Sequence, residues 1–139
     1  MQQLSTKPQV VIDTNVWISG LIFGGNPEKV IRHFIDGNII VITSEELLSE
    51  LRRKITKRFP LFISSLASLD ASIRERAMIV QLGSIRINAS RDVDDNKFIE
   101  TAVIGNASYI VSGDKDLLVL ENYKDITILK PADFLRTII

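Results

Sequence analysis

The sequence predicts an α/β fold built around a mostly parallel β-sheet. Short apolar runs typical of buried strands alternate with longer amphipathic stretches typical of helices. The chain has 139 residues, of which 45% are hydrophobic and 24% are charged, and this composition is that of a folded globular protein. No repeat, linker or low-complexity tract divides the chain, so we expect a single domain over residues 1–139.

The first strand, a helix and the second strand are predicted in the first third of the chain. Apolar runs at residues 10–12 and 39–42 indicate buried strands. Between them, helix-breaking residues predict a loop or short helix, and residues 28–36 predict a helix that ends at Gly37. The helix-breaking residues are Gly20, Gly24, Gly25 and Pro27.

Two longer helices are predicted next. Thr43, with Glu46 three residues later, fits a capping box, so we expect a helix to start at Thr43 and to end before Pro60. Apolar residues at helical spacing predict another helix over residues 64–82. No chemistry is readable in this second helix, and we expect it to cover the sheet.

The last third of the chain alternates short strands and helices. Strands are predicted at residues 85–87, 109–111 and 126–129. Helices are predicted at residues 96–104, at 116–120 as a short turn, and from Pro131 onward.

Charge and composition exclude several classes of protein. Lys and Arg total 17, as do Asp and Glu, so the chain is not a globally basic nucleic-acid binder. The absence of Cys excludes disulfides, thiolate zinc sites and iron–sulfur clusters. No apolar run approaches the ~20 residues of a membrane helix, and residues 1–9 lack the apolar core of a signal peptide. We therefore expect a cytoplasmic protein with no membrane association.

Acidic residues follow the predicted strands at the edge of the sheet where α/β proteins bind ligands. They are Asp13, Glu50, Asp92, Asp94, Asp95 and Asp114. Carboxylates held close together repel one another, and burial adds to the free-energy cost of ionising them. Mg²⁺ or Mn²⁺ would remove both penalties and prefers oxygen ligands, whereas zinc fits poorly because His33 is the only histidine.

Each acidic residue also has a purely structural interpretation. Asp13 and Asp114 fit turn or capping positions, and either Asp95 or Asp94 fits the N-cap of the following helix. Glu50 lies four residues before Lys54, which is a favourable helical ion pair. The set as a whole favours a metal site more strongly than any single residue does.

Four segments together resemble the PIN domain, a small metal-dependent ribonuclease fold. They are residues 11–17 (VIDTNVW), 44–51 (SEELLSEL), 91–98 (RDVDDNKF) and 109–118 (YIVSGDKDLL). Their order and spacing span nearly the whole chain, and they resemble in particular the PIN-family toxins of bacterial and archaeal toxin–antitoxin systems. The resemblance implies a three-layer α/β/α sandwich with a mostly parallel sheet, often assembled as a homodimer.

The resemblance also implies a catalytic, metal-binding quartet, which falls on Asp13, Glu50, Asp95 and Asp114. Glu46 is the rival for the helical position; Glu50 is preferred because it precedes Leu51, as in the family's Glu-Leu pair, and because Glu46 has the predicted capping role. Supporting roles around the metal fall on Thr14, Asn15, Asp92, Ser112 and Asp116. Val93 stands where relatives often have proline.

The activity that the resemblance implies is endonucleolytic hydrolysis of single-stranded RNA by a metal-activated water, leaving a 5′-phosphate and a 3′-hydroxyl. One or two Mg²⁺ or Mn²⁺ ions would be the cofactor, and an antitoxin protein would be the partner. The basic residues Arg52, Arg53 and Lys57 are interpreted as an RNA-backbone contact, with a solvated helix face as the alternative.

Two other functions remain open from the sequence. The first is a non-catalytic RNA- or protein-binding module on the same fold, which would bind no divalent metal. The second is a phosphotransfer or receiver-like domain that uses a strand-end aspartate, although Asp13-Thr14-Asn15 lacks the second aspartate of haloacid-dehalogenase-like phosphatases.

Overall fold

A computed structural model of the chain describes residues 7–138. The strands are β1 (Gln9–Ile12), β2 (Ile40–Ser44), β3 (Met78–Val80), β4 (Tyr109–Val111), β5 (Asn122–Tyr123) and β6 (Ile126–Leu129). They form one sheet in the order β3-β2-β1-β4-β6-β5, and all neighbours are parallel except the β5–β6 pair. The prediction of a mostly parallel sheet is confirmed.

Seven α-helices within residues 7–138 connect and cover these strands. They are α1 (Thr14–Ile22), α2 (Gly25–Ile35), α3 (Glu45–Arg58), α4 (Ile63–Arg76), α5 (Asn96–Ile104), α6 (Lys115–Leu118) and α7 (Pro131–Thr137). Short 3-10 turns at Pro60–Phe62 and Val93–Asp95 precede α4 and α5. In this part of the chain no helix has both the length and the apolar character needed to span a bilayer. Residues 1–6, which carry most of the signal-peptide prediction, lie outside the described residues.

Alternating strand side chains build one apolar core on each face of the sheet. In β1, Val10 and Ile12 belong to the core beneath α1–α4 and α7, whereas Val11 belongs to the core beneath α5 and α6. This alternation follows from the two-residue period of a strand. Because helices cover both faces, the three-layer α/β/α sandwich is confirmed.

The predicted helix start at Thr43, with Glu46 as the capping-box partner, is wrong. Thr43 still belongs to β2, because pairing with β3 continues as far as Ser44. Ser44 is the N-cap of α3, and its Oγ accepts a hydrogen bond from the Leu47 N–H at 3.4 Å. The third residue after the cap is therefore an apolar leucine, and Glu46 lies exposed in the first turn.

The helix predicted over residues 64–82 is too long. α4 ends at Arg76, the backbone of Ala77 is extended, and Met78–Val80 forms the edge strand β3 beside β2. A short apolar run fits a helix or a strand equally well by periodicity alone, and the pairing with β2 decides for the strand.

The strand predicted at residues 85–87 is not formed. Side chains of α5 bind this segment instead: Glu100 Oε2 accepts from the Ile87 N–H at 3.0 Å, and Asn96 Oδ1 accepts from the N–H groups of Ala89 and Ser90 at 3.0 and 2.8 Å. These hydrogen bonds satisfy backbone donors that a sheet would otherwise satisfy.

The other boundaries in the last third follow the prediction closely. The ranges of α5, β4 and β6 are those predicted, and α7 begins at Pro131. The short helix α6 begins one residue earlier than predicted, at Lys115, and the two-residue strand β5 has no counterpart in the prediction.

Where the sequence predicted a loop or short helix, the segment after β1 forms the nine-residue helix α1, and α2 begins at Gly25, before the predicted residue 28. Gly20 lies inside α1, at a point where α2 packs closely against it. A Cβ at Gly20 would lie 2.9 Å from the backbone of Pro27 and 2.5 Å from Ile31 Cδ1. Glycine is therefore required here by close packing.

We expect Gly20→Ala to lower the free energy of unfolding by about 1–3 kcal/mol, because the Pro27 backbone cannot move away without separating α1 from α2. Urea denaturation monitored by circular dichroism measures the change. Gly113→Ala is the matched control, since nothing lies within 4 Å of its added Cβ. A Gly20→Ala protein as stable as the control would contradict the packing argument.

Candidate metal centre

The carboxyl ends of three neighbouring parallel strands bring acidic residues to one edge of the sheet. β1 lies between β2 and β4. Asp13 follows β1 directly, Asp114 follows β4 after two residues, and Glu50 lies in the second turn of α3, the helix after β2. Open α/β sheets bind ligands at this edge.

Ser112 connects the residues that follow β1 and β4. Its buried hydroxyl donates to Asp13 Oδ2 at 2.6 Å and accepts from the Asp114 N–H at 2.9 Å. Asp13 Oδ1 accepts from the Asn15 N–H at 3.1 Å, and Asp114 Oδ1 accepts from the Asp116 N–H at 2.9 Å. Each carboxylate thus caps the helix that follows it, and these hydrogen bonds orient it at the sheet edge.

Asp95 is a buried carboxylate at the end of the 3-10 turn before α5, and only 6% of its surface is exposed. Its Oδ2 is buried and has no hydrogen-bond partner within residues 7–138. In the same turn, Asp92 Oδ1 accepts from the Asp94 N–H at 3.0 Å, and Asp94 is exposed. A buried oxygen without a donor is uncommon in proteins, and a bound cation would satisfy it.

Two further acids lie beside Asp95. One carboxylate oxygen each from Asp92, Asp95 and Asp116 lie within 4.8 Å of one another. Asp116 also faces the exposed Arg91, with 3.6 Å between Asp116 Oδ1 and Arg91 Nε. Asp92 and Asp116, expected from the sequence to support the metal ligands, therefore lie close enough to Asp95 to share a cation with it.

The electrostatics of Asp95 reflect this crowding. Burial is the largest cause, followed by the hydrogen bond with Asp114 and the neighbouring negative charges, and together they raise the pKa of Asp95 to about 8. The charges of Asp92 and Asp13 contribute in the same direction. A divalent cation would displace the proton that this cluster retains at neutral pH.

Burial also raises the pKa of Asp13, but here other groups oppose it. The hydrogen bonds from Ser112 and Asn15 and the charge of Lys54 act to lower this pKa. Asp114 also raises it through charge repulsion. Asp13 and Asp114 thus belong to one electrostatic cluster with Asp95.

Glu50 is held differently, between two lysines. Lys97 Nζ contacts Glu50 Oε1, and Lys54 Nζ lies 3.5 Å from Glu50 Oε2 and 3.4 Å from Asn15 Oδ1. Burial by itself raises the pKa of Glu50, but hydrogen bonds from Lys97 and Thr14 and the two lysine charges outweigh burial and lower it. Glu50 is therefore ionised, and the positive charges of Lys97 and Lys54 compensate its negative charge.

The residues present fit a hard divalent cation. The converging side chains offer carboxylate oxygens, the chain has no Cys, and its single histidine lies on α2. Such an oxygen set suits Mg²⁺ or Mn²⁺. The unpartnered Asp95 oxygen indicates the same class of ligand.

We expect Ser112→Ala to weaken Mn²⁺ binding by about tenfold, because Asp13 Oδ2 loses the donor that orients it. Isothermal titration calorimetry measures the affinity. Ser108→Ala is the matched control, since Ser108 is exposed and precedes β4 at its opposite end. Equal Mn²⁺ affinity in the two variants would show that the Ser112 hydrogen bond does not matter for binding.

The basic residues predicted to contact RNA lie exposed on α3, but on different sides of it. Lys57 is seven residues after Glu50 and so lies on the same helix face, two turns away. Arg53 is one helical turn from Lys57. Arg52 lines a groove with Leu66 and Asp70 of α4.

Lys97 is the functional-site residue that sequence reasoning missed. It lies two residues after Asp95, but its charge is directed to Glu50, 47 positions earlier, rather than to solvent. Its place within the acidic segment of residues 91–98 is the only sequence signal that marks it.

Comparisons with known proteins bear on the family and the fold of the chain. The PIN domain family pattern matches residues 9–116. An uncharacterized protein of Methanocaldococcus jannaschii is 33% identical over 121 residues, which cover 84% of this chain and 77% of that protein.

A solved structure shares the fold. It is the crystal structure of VapBC2 from Rickettsia felis bound to a DNA fragment from their promoter. The match has a TM-score of 0.55 and 14% sequence identity, and it covers 86% of this chain and 96% of that chain. The family match spans every acidic residue described above, from Asp13 to Asp116, and on that match this chain belongs to the PIN domain family.

Proposed function

We propose that this protein is a Mg²⁺- or Mn²⁺-dependent endoribonuclease that cleaves single-stranded RNA. PIN domains are generally metal-dependent nucleases. The observation that carries the proposal is the buried Asp95 carboxylate, whose Oδ2 has no partner within residues 7–138 and which lies beside Asp92, Asp114 and Asp116. Such a cluster is stable in its ionised form only with a cation bound.

The metal would be held by Asp13, Asp95 and Asp114, with Asp92 and Asp116 close enough to contribute. One or two bound ions would activate a water molecule and stabilise the negative charge that develops on the phosphodiester. Ser112 would keep Asp13 in its binding orientation, since its hydroxyl already donates to that carboxylate. Asn15, two residues after the helix cap Asp13, would present its side chain to the same edge.

Glu50 would contribute as an ionised carboxylate beside the metal cluster. Lys97 and Lys54 keep its pKa low, so it is ionised at neutral pH and can accept a hydrogen bond from water. Thr14, which hydrogen-bonds to Glu50, would fix its position relative to Asp13. Arg53 and Lys57 would attract the RNA backbone toward this side of the site.

We further propose that the protein is the toxin of a toxin–antitoxin pair, acts in the cytoplasm and forms a homodimer. The structural neighbour from Rickettsia felis is VapBC2 bound to promoter DNA, and it shares the fold over 86% of this chain. An antitoxin protein would be the partner. Copurification of the chain with a co-expressed product of the adjacent gene tests this part of the proposal.

The nuclease activity is tested with single-stranded RNA and Mn²⁺. We expect cleavage that EDTA abolishes and that Asp13→Asn lowers at least about 100-fold, because the substitution removes one carboxylate charge from the cluster. Asp94→Asn is the matched control, since it removes the same charge from an exposed residue of the adjoining turn. Products are analysed by denaturing gels for 5′-phosphate and 3′-hydroxyl ends. Cleavage that persists in EDTA, or in Asp13→Asn, contradicts the proposal.

A non-catalytic binding module on the PIN fold is the alternative. The double pairing of Glu50 with lysines favours it, because a carboxylate that is already neutralised needs no metal. Calorimetry with Mn²⁺ separates the two functions. A wild-type chain that binds RNA but no divalent cation would be a binding module.

A further inference from the structure

A basic groove runs between α2 and α7 and leads away from the acidic cluster. The two helices pack against each other. Its inner part is a cavity of about 460 Å³ that includes Asn15 and Asp114 in its wall. The opposite wall carries Lys130, Pro131 and Ala132 at the start of α7. The cavity thus begins at the candidate metal centre itself.

A second cavity adjoins the first on its outer side. This outer cavity of about 410 Å³ shares Asn26 and Ala132 with the first and extends between Lys29, Arg32 and Arg136. Each cavity has the size of an ordinary small-ligand pocket. Together they form a path that a chain of linked nucleotides could follow from the acidic cluster.

The charge of the groove is mainly positive. Lys29 and Lys130 are exposed, and within residues 7–138 no carboxylate lies within 4.0 Å of either ammonium group. Arg32 lies 3.7 Å from Glu28, and Arg136 pairs with Asp133, so these two are partly neutralised. His33, Leu135 and the acid Asp36 also line the outer cavity, and Asp114 is the acid in the wall of the inner one.

We infer that the groove between α2 and α7 binds the single-stranded RNA that adjoins the cleaved phosphate, with Lys130 and Lys29 contacting successive backbone phosphates. This inference rests on the proposed function. The apolar side chains of Val16, Pro27 and Pro131 provide non-polar walls for a base in the inner cavity. The RNA then crosses the acidic edge from the α3 side, where Arg53 and Lys57 lie, to the α2–α7 side.

The position of the groove beside the acidic cluster favours RNA over an acidic peptide as the occupant. The inner cavity has Asp114 of the acidic cluster in its wall, and an RNA strand that is cleaved at the cluster needs such a path away from it. Phosphates repeat at every nucleotide, which matches two lysines placed along one path.

The test measures binding of a fluorescent 12-nucleotide single-stranded RNA by anisotropy at several salt concentrations, with EDTA present so that the RNA is not cut. The groove variant is Lys29→Glu/Lys130→Glu. The matched control is Arg86→Glu/Lys124→Glu, which changes the charge equally at exposed positions that line neither cavity. Thermal unfolding of each variant verifies that it is folded.

We expect the groove variant to bind RNA at least about tenfold more weakly than the wild type. The slope of log K against log salt should fall by about 1.4, because each lost phosphate contact removes about 0.7 for a single strand. The control should stay within about twofold of the wild type. A second variant, Ala132→Phe, narrows the junction of the two cavities without changing charge and should also weaken binding.

Failure of the groove and failure of the proposed function give different results. If the wild type cleaves RNA and the groove variant binds and cleaves equally well, the groove inference is wrong and the nuclease stands. If RNA binds through the groove but the wild type cleaves none with Mn²⁺, the nuclease proposal is wrong and the groove stands. A wild-type chain that binds no RNA, or a groove variant that loses only an acidic-peptide ligand, overturns the groove inference.

Discussion

Replacing Asp95 by Asn should make the metal-free protein more stable while abolishing metal-dependent cleavage. Burial and the neighbouring carboxylates raise the pKa of Asp95 to about 8, so ionising it in the folded state costs free energy. Asn has the same shape, carries no charge and can donate a hydrogen bond to the Asp114 carboxylate. We expect a gain of about 2–3 kcal/mol in the free energy of unfolding at pH 8, less than the full shift implies because the cluster shares its proton.

The pH dependence identifies the cause of this gain. The folded pKa of Asp95 lies above its ordinary value of 3.8, so between about pH 4 and pH 8 the folded state binds more protons than the unfolded state. Wild-type stability without metal should therefore fall as the pH rises through this window. Asp95→Asn lacks this contribution, so the two proteins should differ most at pH 8 and should converge near pH 4.

Urea denaturation in EDTA across this pH range measures the effect, and the same titration with Mn²⁺ provides a second readout. Mn²⁺ should stabilise the wild type and leave Asp95→Asn unchanged, because the variant lacks a ligand. Asp94→Asn, at the exposed neighbouring residue, should behave as the wild type in both media. An Asp95→Asn protein that is less stable than the wild type at pH 8 would mean that burial and the neighbouring carboxylates do not make the ionised form of Asp95 unfavourable.

Replacing Lys97 by Met should destabilise the protein, in the opposite direction to Asp95→Asn. Lys97 contacts the buried carboxylate of Glu50, and among residues 7–138 only Lys54, at 3.5 Å, would remain to compensate that charge. Removing one partner of a buried ion pair is strongly destabilising, and we expect about 1–3 kcal/mol here because Lys54 and Thr14 stay in place. The free energy of unfolding at pH 7 measures the loss.

A double-mutant cycle tests the assignment to this pair. Glu50→Gln should recover most of the loss in the Lys97→Met background, whereas Lys115→Met, at an exposed lysine, should have little effect on its own. The pKa of Glu50 is lowered, so its contribution to stability is present above its ordinary value of 4.5 and is lost as the pH falls through the folded pKa. The deficit of Lys97→Met should therefore shrink in acid, and a deficit that is constant from pH 7 to pH 3 would indicate lost packing instead.

Local patterns predicted most of the strands and helices because each depends on neighbours in the sequence. The ranges of α5, β4 and β6 follow from apolar periodicity bounded by Gly105 and by Pro131. The errors occur where a distant segment decides the outcome. Thr43 stays in a strand because β3 pairs with it, and residues 85–89 stay irregular because Asn96 and Glu100 bind their backbone.

The same division applies to the candidate site. The sequence determined that acidic residues follow strands whose carboxyl ends meet at one edge, since strand order along a parallel sheet constrains where Asp13 and Asp114 lie. Only the tertiary structure decided that Asp92 and Asp116 approach Asp95, and that Lys97 neutralises Glu50. These contacts depend on the path of a loop and the rotation of a helix, and no local pattern encodes the distance between side chains that are far apart in the chain.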